Sequence, residues 1–413
     1  MNEREKTLLT PEEQERRHQV AEQRRRKARA ERARKKRRAK KIKLTIGIVF
    51  VTLLTAAAVF IITRYVLPDA GKDARQPKTS PSEEQTSTET TQTPTTAPEP
   101  THDYPELKSK NGTFNTYSSG AIRVDNAAFS VCGTLSDSVT SKYAALVSEV
   151  ADSLNGKTKV YSLIIPTSYG VTLPDDIKTQ IANYADQGEN IAKVFSKMSE
   201  NVTPVYCYDD LMTHRDEYLY FRTDHHWNGK GAYYAYEAFC RTKGIEPFTL
   251  EKREKKEFDG FLGTMYQNNG KDENLLPADT VEAFLPVSAN AAMKFTNTDG
   301  TTYDWPIVKD VSEWSSGAKY NTFAGSDNPI TEFTNPDVAD GSVLIVVKES
   351  FGNALLPYLV DHYSKIYEID YRYWKGNLVS FAEEVGADDL LFANNIMMTS
   401  TSLLVGNLSK IIK

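Results

Sequence analysis

Six consecutive residues, Thr223-Asp224-His225-His226-Trp227-Asn228, place two of the chain's six histidines beside a carboxylate and an indole. A carboxylate next to an imidazole is what a general base needs, because the acid fixes the ring's tautomer and stabilises its protonated form. Side chains two apart in an extended segment point to the same side, so Asp224 and His226 form the expected pair. His225 is expected to point elsewhere, into packing. The segment itself holds no nucleophile. Asp224, His225 and His226, with His214, also offer nitrogen and oxygen atoms of the kind zinc accepts. Adjacent histidines chelate one ion awkwardly, however, and no cysteine or His-Glu-x-x-His spacing supports them, so no metal is expected. No cofactor motif is visible.

A nucleophile is available in a second segment, Leu344-Ile345-Val346-Val347-Lys348-Glu349-Ser350-Phe351-Gly352-Asn353. An apolar run of strand type ends, a turn presents Ser350, and a helical pattern begins. Serine nucleophiles of α/β esterases sit at such a turn, although this chain lacks G-x-S-x-G. The free N–H groups of a helix start would face an oxyanion forming on an attacked carbonyl. Serine is also a preferred helix cap, and this segment read alone favours the cap, because caps are far commoner.

Both segments need a scaffold. Short apolar runs at 160–165, 205–208, 343–347, 366–370 and 390–392 read as buried strands, and 218–222 as a further short strand. Helical patterns occupy 175–199, 231–242, 353–363 and 377–386, with Asn228 as a cap before the second. Strands alternating with helices predict an α/β domain with a mainly parallel sheet covered by helices on both faces. Such sheets place functional groups beyond the carboxyl ends of their strands. The stretch from about 278 to 340 lacks long helical patterns and reads as a β-rich insertion.

The rest of the 413 residues concerns location. Residues 1–43 carry dense basic runs, and an uncharged apolar run of bilayer-spanning length follows within 44–66. No signal-peptide cleavage pattern accompanies it. Positive charge on the N-terminal side predicts a cytoplasmic tail, one transmembrane helix and an exterior remainder. A basic block also suits nucleic acid, but directly against a span it reads as a topology determinant. Residues 67–105 are rich in Thr, Ser and Pro and predict a disordered spacer, leaving 106–413 as the exterior domain. The formal charge of −5 hides the basic tail; without it the exterior part is acidic, which argues against nucleic acid or anionic membrane as its ligand. Cys132, Cys207 and Cys240 do not make a disulfide framework and read as buried thiols.

Asp224-His225-His226-Trp227, followed by Gly231-Ala232-Tyr233-Tyr234, resembles the signature of the bacterial DHHW proteins. These are similar to the SGNH-like O-acetyltransferases of alginate acetylation and, more distantly, to the D-alanylation protein of teichoic acids. Four further segments agree: 163–167, 261–266, 348–358 and 369–373. The resemblance spans about 110 to 413 and implies an SGNH-hydrolase-like fold. It also implies a triad of Ser350 as nucleophile, His226 as general base and Asp224 as its orienting carboxylate. It departs from the family at Glu349, where Asp is frequent, and at Asn394-Asn395, where Tyr-Asn is frequent. Arg372 and Asn395 become candidates for substrate or oxyanion contacts, and Tyr266 and Trp227 for stacking on sugar rings, with burial in the core the alternative for both aromatics.

The expected function is a membrane-anchored extracellular O-acyltransferase, in particular an O-acetyltransferase, that modifies a cell-surface polysaccharide or other glycopolymer at a Gram-positive-type cell surface. A multi-spanning membrane O-acyltransferase is the implied acyl-supplying partner, and no cofactor is expected. The rival readings are a carbohydrate esterase with the same triad and a non-catalytic glycan-binding or assembly module.

Overall fold

A computed structural model describes residues 103–412. The expected tail (1–43), membrane span (44–66) and all but the last residues of the spacer lie outside the described residues. Among those described, no helix is long and apolar enough to cross a membrane.

The chain opens with an antiparallel meander of β1 (Asn115–Thr116), β2 (Ile122–Val124) and β3 (Ala127–Phe129). Helix α1 (Asp137–Leu154) follows, burying Tyr143, Leu146, Val147, Val150 and Leu154 at helical spacing. Then come β4 (Lys159–Ile165), α2 (Gln187–Phe195), β5 (Val202–Val205) and α3 (Gly229–Lys243). A β6–β7 hairpin (Lys255–Phe261, Asp279–Phe284) leads to β8 (Ala292–Thr296), β9 (Thr302–Trp305) and β10 (Ile330–Thr334). The C-terminal part supplies β11 (Val343–Lys348), β12 (Lys365–Asp370), α4 (Leu378–Val385), β13 (Asp389–Asn395) and α5 (Ser402–Ile412).

The central sheet has the order β5-β4-β13-β11-β12-β10-β8-β9. Its first five strands pair in parallel and the last three antiparallel. The β-rich stretch expected between 278 and 340 divides: β7 pairs with β6 in a separate hairpin, while β8 to β10 widen the central sheet. The strands at its centre are apolar almost without interruption because both faces are covered. Tyr161 of β4 meets Phe239 of α3 edge-on, while the next residue, Ser162, lies against Tyr143 of α1. Consecutive strand residues face opposite sides, so α1 and α3 cover opposite faces.

Several boundaries differ from expectation. The run at 205–208 is not a strand: β5 ends at Val205, and Tyr208–Thr213 is a short helix. Pro204 is tolerated because β5 is an edge strand. The helical pattern at 175–199 splits into Asp175–Lys178 and α2, which Asp186 caps by accepting the Glu189 N–H at 2.9 Å. The pattern at 353–363 becomes 3-10 turns around the single helical turn Leu356–Leu359, where Pro357 has no N–H to give. All three cysteines are free and buried.

Candidate active site

The residues before α3 form a tight loop and not the expected extended strand. Tyr220 and Trp227 make an isolated antiparallel bridge, and the Phe221 N–H donates to the His226 carbonyl at 3.2 Å. Between them Asp224 Oδ1 accepts the main-chain N–H of His226 at 3.0 Å, a local turn that short acidic side chains favour. Asp279 of β7 holds the loop from behind, accepting the Thr223 N–H at 2.8 Å and the Thr223 hydroxyl at 2.6 Å. Asn228 caps α3 by accepting the Gly231 N–H at 3.0 Å.

At the carboxyl end of β11 the cap is Glu349, whose carboxylate accepts the Phe351 N–H at 3.2 Å and the Asn395 N–H at 2.9 Å. Ser350 is thereby released from capping. Its hydroxyl lies 2.7 Å from His226 Nε2, and His226 Nδ1 lies 2.5 Å from Asp224 Oδ1. The other oxygen, Asp224 Oδ2, accepts the Thr264 N–H at 2.7 Å and the Thr264 hydroxyl at 2.8 Å. Two segments 124 residues apart thus meet in one hydrogen-bonded line.

The surroundings support this line. Burial alone would raise the Asp224 carboxyl, but His226, His225 and the Thr264 N–H hold it well below the usual carboxylate range. Tyr320 stacks on the His226 ring with centroids 4.1 Å apart and donates its hydroxyl to the Ser350 carbonyl at 3.0 Å. An ionised, buried carboxylate keeps the imidazole's acceptor nitrogen turned to the serine. The imidazole can take the Ser350 proton as the oxygen attacks an electrophilic carbon.

Metal binding fits these residues poorly. One ligand atom from each of Asp224, His225 and His226 falls within 4.8 Å of the others. Yet both Asp224 oxygens and both δ nitrogens are already committed to hydrogen bonds. His214 is engaged elsewhere, with Glu217 at 2.9 Å and stacked on Tyr234.

The sequence profile of the DHHW protein family matches residues 106–369. The chain belongs to the DHHW family. A solved DHHW family protein from Eubacterium siraeum superposes with a TM-score of 0.63 at 26% identity, over 71% of this chain and 95% of that one. PatB1 of Bacillus cereus, solved with a sulfonyl adduct, superposes with a TM-score of 0.57 at 15% identity, over 73% of this chain and 99% of that one. The O-acetyltransferase domain of Pseudomonas putida AlgJ aligns with a TM-score of 0.36 at 13% identity, over 71% and 98%. No curated protein matches.

In this DHHW protein the four further candidates lie in different surroundings. Asn395 borders a cavity of about 200 Å³ together with His225, Phe351, Met397, Met398 and Leu404. Its Oδ1 accepts the Met397 and Met398 N–H groups, and its amide nitrogen has no partner among the described residues. Trp227 is fully buried and donates its indole N–H to the Phe351 carbonyl at 2.9 Å, so it offers no face to a sugar. Tyr266 packs, half-buried, against a small cluster of Ala121, Ala128, Met265 and Leu275. Arg372 is gripped by Asp370 at 2.5 and 2.9 Å and by Asp327 at 2.9 Å.

Sequence reasoning missed Tyr320 and the role of Thr264. The first had no signal, because its segment shows no periodic pattern. The second lies within 261–266, where the neighbouring Gly263 was the available clue.

Proposed function

We propose that the described domain is a serine acyltransferase that moves an acyl group, in particular acetyl, onto a hydroxyl of a cell-surface polysaccharide or other glycopolymer. The hydrogen-bonded line Asp224–His226–Ser350 carries this reading. Ser350 Oγ would give its proton to His226 Nε2 and attack the donor's acyl carbon, and the leaving group would take that proton. The acceptor hydroxyl would then lose its proton to His226 and attack the acyl-serine, and the departing Ser350 Oγ would take that proton back from His226. The SGNH-like description of the fold, anchoring through 44–66 with the domain at a Gram-positive-type exterior, and a multi-spanning membrane acyltransferase that supplies the acyl group belong to the same proposal. Membership of the DHHW family supports it. The PatB1 structure with a sulfonyl adduct suggests the matching probe, since sulfonyl halides react with activated nucleophiles.

Replacing Ser350 by Ala and measuring ester-linked acetate on surface polymers tests the reading. Acetate falls for a transferase and rises for an esterase. Unchanged acetate, with the envelope disturbed only when the whole domain is deleted, would leave a non-catalytic module.

A further inference from the structure

The reaction line uses one histidine of the adjacent pair, yet the second is built just as carefully. His225 Nδ1 lies 2.6 Å from Thr264 Oγ1, and the Thr264 hydroxyl donates its only hydrogen to Asp224 Oδ2 at 2.8 Å. Thr264 Oγ1 can therefore only accept from His225, which places the ring hydrogen on Nδ1 and a lone pair on Nε2. Desolvation in the cleft and the neighbouring His226 push the ring's pKa down to about 4, so the lone pair persists at neutral pH. Free imidazole has no such fixed preference. The Asp224–Thr264 pair imposes it.

The two rings lie against one another, with centroids 3.8 Å apart and planes tilted by 37°. Both δ nitrogens face the same carboxylate: His226 Nδ1 at 2.5 Å from Oδ1, and His225 Nδ1 at 3.8 Å from Oδ2. With His225 Nδ1 held at Thr264, Nε2 is the nitrogen left over on a ring that lies beside His226, whose own Nε2 meets Ser350 at 2.7 Å. His225 Nε2 has no partner among the described residues. The ring is 37% exposed and borders the cavity of about 200 Å³, which is smaller than the ~300–1,000 Å³ of ordinary ligand clefts.

We propose that the paired imidazoles read a vicinal diol. The reacting hydroxyl of the acceptor gives its proton to His226, and the neighbouring hydroxyl donates a hydrogen bond to His225 Nε2. Vicinal hydroxyls on a sugar ring are borne by neighbouring carbons, which suits acceptor nitrogens on two adjacent rings with centroids 3.8 Å apart. His225 is thus a specificity-determining residue for a sugar bearing adjacent free hydroxyls, and a mono-alcohol leaves its lone pair unpaired. This rests on the acyl-transfer reading above.

The test uses the full-length protein with p-nitrophenyl acetate as donor and cyclohexane-1,2-diol or cyclohexanol as acceptor. The unaltered chain should acetylate the diol about tenfold faster, the value of one neutral hydrogen bond. His225→Leu should bring the diol-to-alcohol ratio to near one, and His225→Gln, which retains an acceptor, should restore part of it. The ratio is read within one variant, so any change in the acylation rate cancels. Nitrogen NMR of 15N-histidine-labelled protein should show His225 neutral and protonated at Nδ1, with Thr264→Val moving the proton to Nε2. No nitrophenol burst from the unaltered protein would overturn the acyl-transfer reading and this proposal with it. A burst without diol preference, a preference that survives His225→Leu, or a His225 proton on Nε2 would overturn this proposal alone.

Discussion

Trp227 donates its indole N–H to the main-chain carbonyl of Phe351 across 2.9 Å, bonding the residue after His226 to the residue after Ser350. Both partners are buried, so the bond ties the His226 segment to the Ser350 segment. Trp227→Phe keeps a large ring but removes this buried hydrogen bond, at a cost of about 0.5–1.5 kcal/mol. A lowered thermal midpoint together with slower labelling of Ser350 by a sulfonyl fluoride is expected. Equal labelling rates would show that the bond does not position the serine.

Gly263 has an ordinary φ of −78°, so its smallness serves space and not backbone freedom. A Cβ there would fall inside van der Waals contact with Cβ and Oδ2 of Asp224. Gly263→Ala should displace the carboxylate, slow Ser350 labelling by about a hundredfold and cost about 1–3 kcal/mol from overpacking. Labelling kinetics and melting curves on the same preparation check both parts. A well-folded variant with normal labelling would contradict this account.

Glu349 spends both carboxylate oxygens on main-chain N–H groups, those of Phe351 and Asn395. Glu349→Gln replaces one acceptor by a donor and sets it against an N–H. The expected result is destabilisation by about 1–3 kcal/mol, with Ser350 labelled more slowly because its turn loosens. Unaltered melting and labelling would mean that the carboxylate is dispensable there.

His362 gives a pH prediction away from the site. The Phe248 N–H donates to the Tyr236 hydroxyl at 2.8 Å, and that hydroxyl meets His362 Nε2 at 2.6 Å, where a neutral ring can accept the hydroxyl's hydrogen. Burial, helped by Arg253 and Lys243 against Asp361, pushes the pKa down to about 4. The unfolded chain, at about 6.5, binds more protons between these values, so stability rises with pH there. The contribution is complete above about 6.5 and is lost as the pH falls through about 4. Substituting His362→Gln should narrow the gap in melting temperature from the unaltered chain as the pH drops across that window. A ring that titrates near 6.5 by NMR would refute it.

Much of the scaffold was legible in the residues. Strand β11 reads directly because a strand buried on both faces must be apolar throughout, and α3 reads from Asn228 and the spacing of Ala232, Ala235, Tyr236 and Phe239. Tyr208 misled because aromatic residues suit strands, yet at the sheet edge nothing held the chain extended beyond Val205. Helix α1 was readable from Tyr143, Val147 and Val150 but went unrecognised. In the site, Asp224, His226 and Ser350 were visible as residue types. Thr264, Tyr320 and the reach of Glu349 to the Asn395 N–H were not, because each acts through an approach between segments far apart in sequence. Trp227 looked like a ligand platform and is a buried brace, a difference that only burial could reveal.

The position of β13 has a consequence in time. This strand, the last among the described residues, lies at the middle of the sheet, between β4 and β11. Until residues 389–395 emerge, β5–β4 and β11–β12–β10–β8–β9 are separate pieces, each with an open edge. The N–H of Asn395, which Glu349 needs beside Ser350, arrives in the same event. A ribosome must therefore carry synthesis past residue 395 before the two halves can join, and such late, long-range pairing is slow and leaves open edges prone to mispairing. Shortening the chain from its C-terminus should stall maturation and not merely trim it.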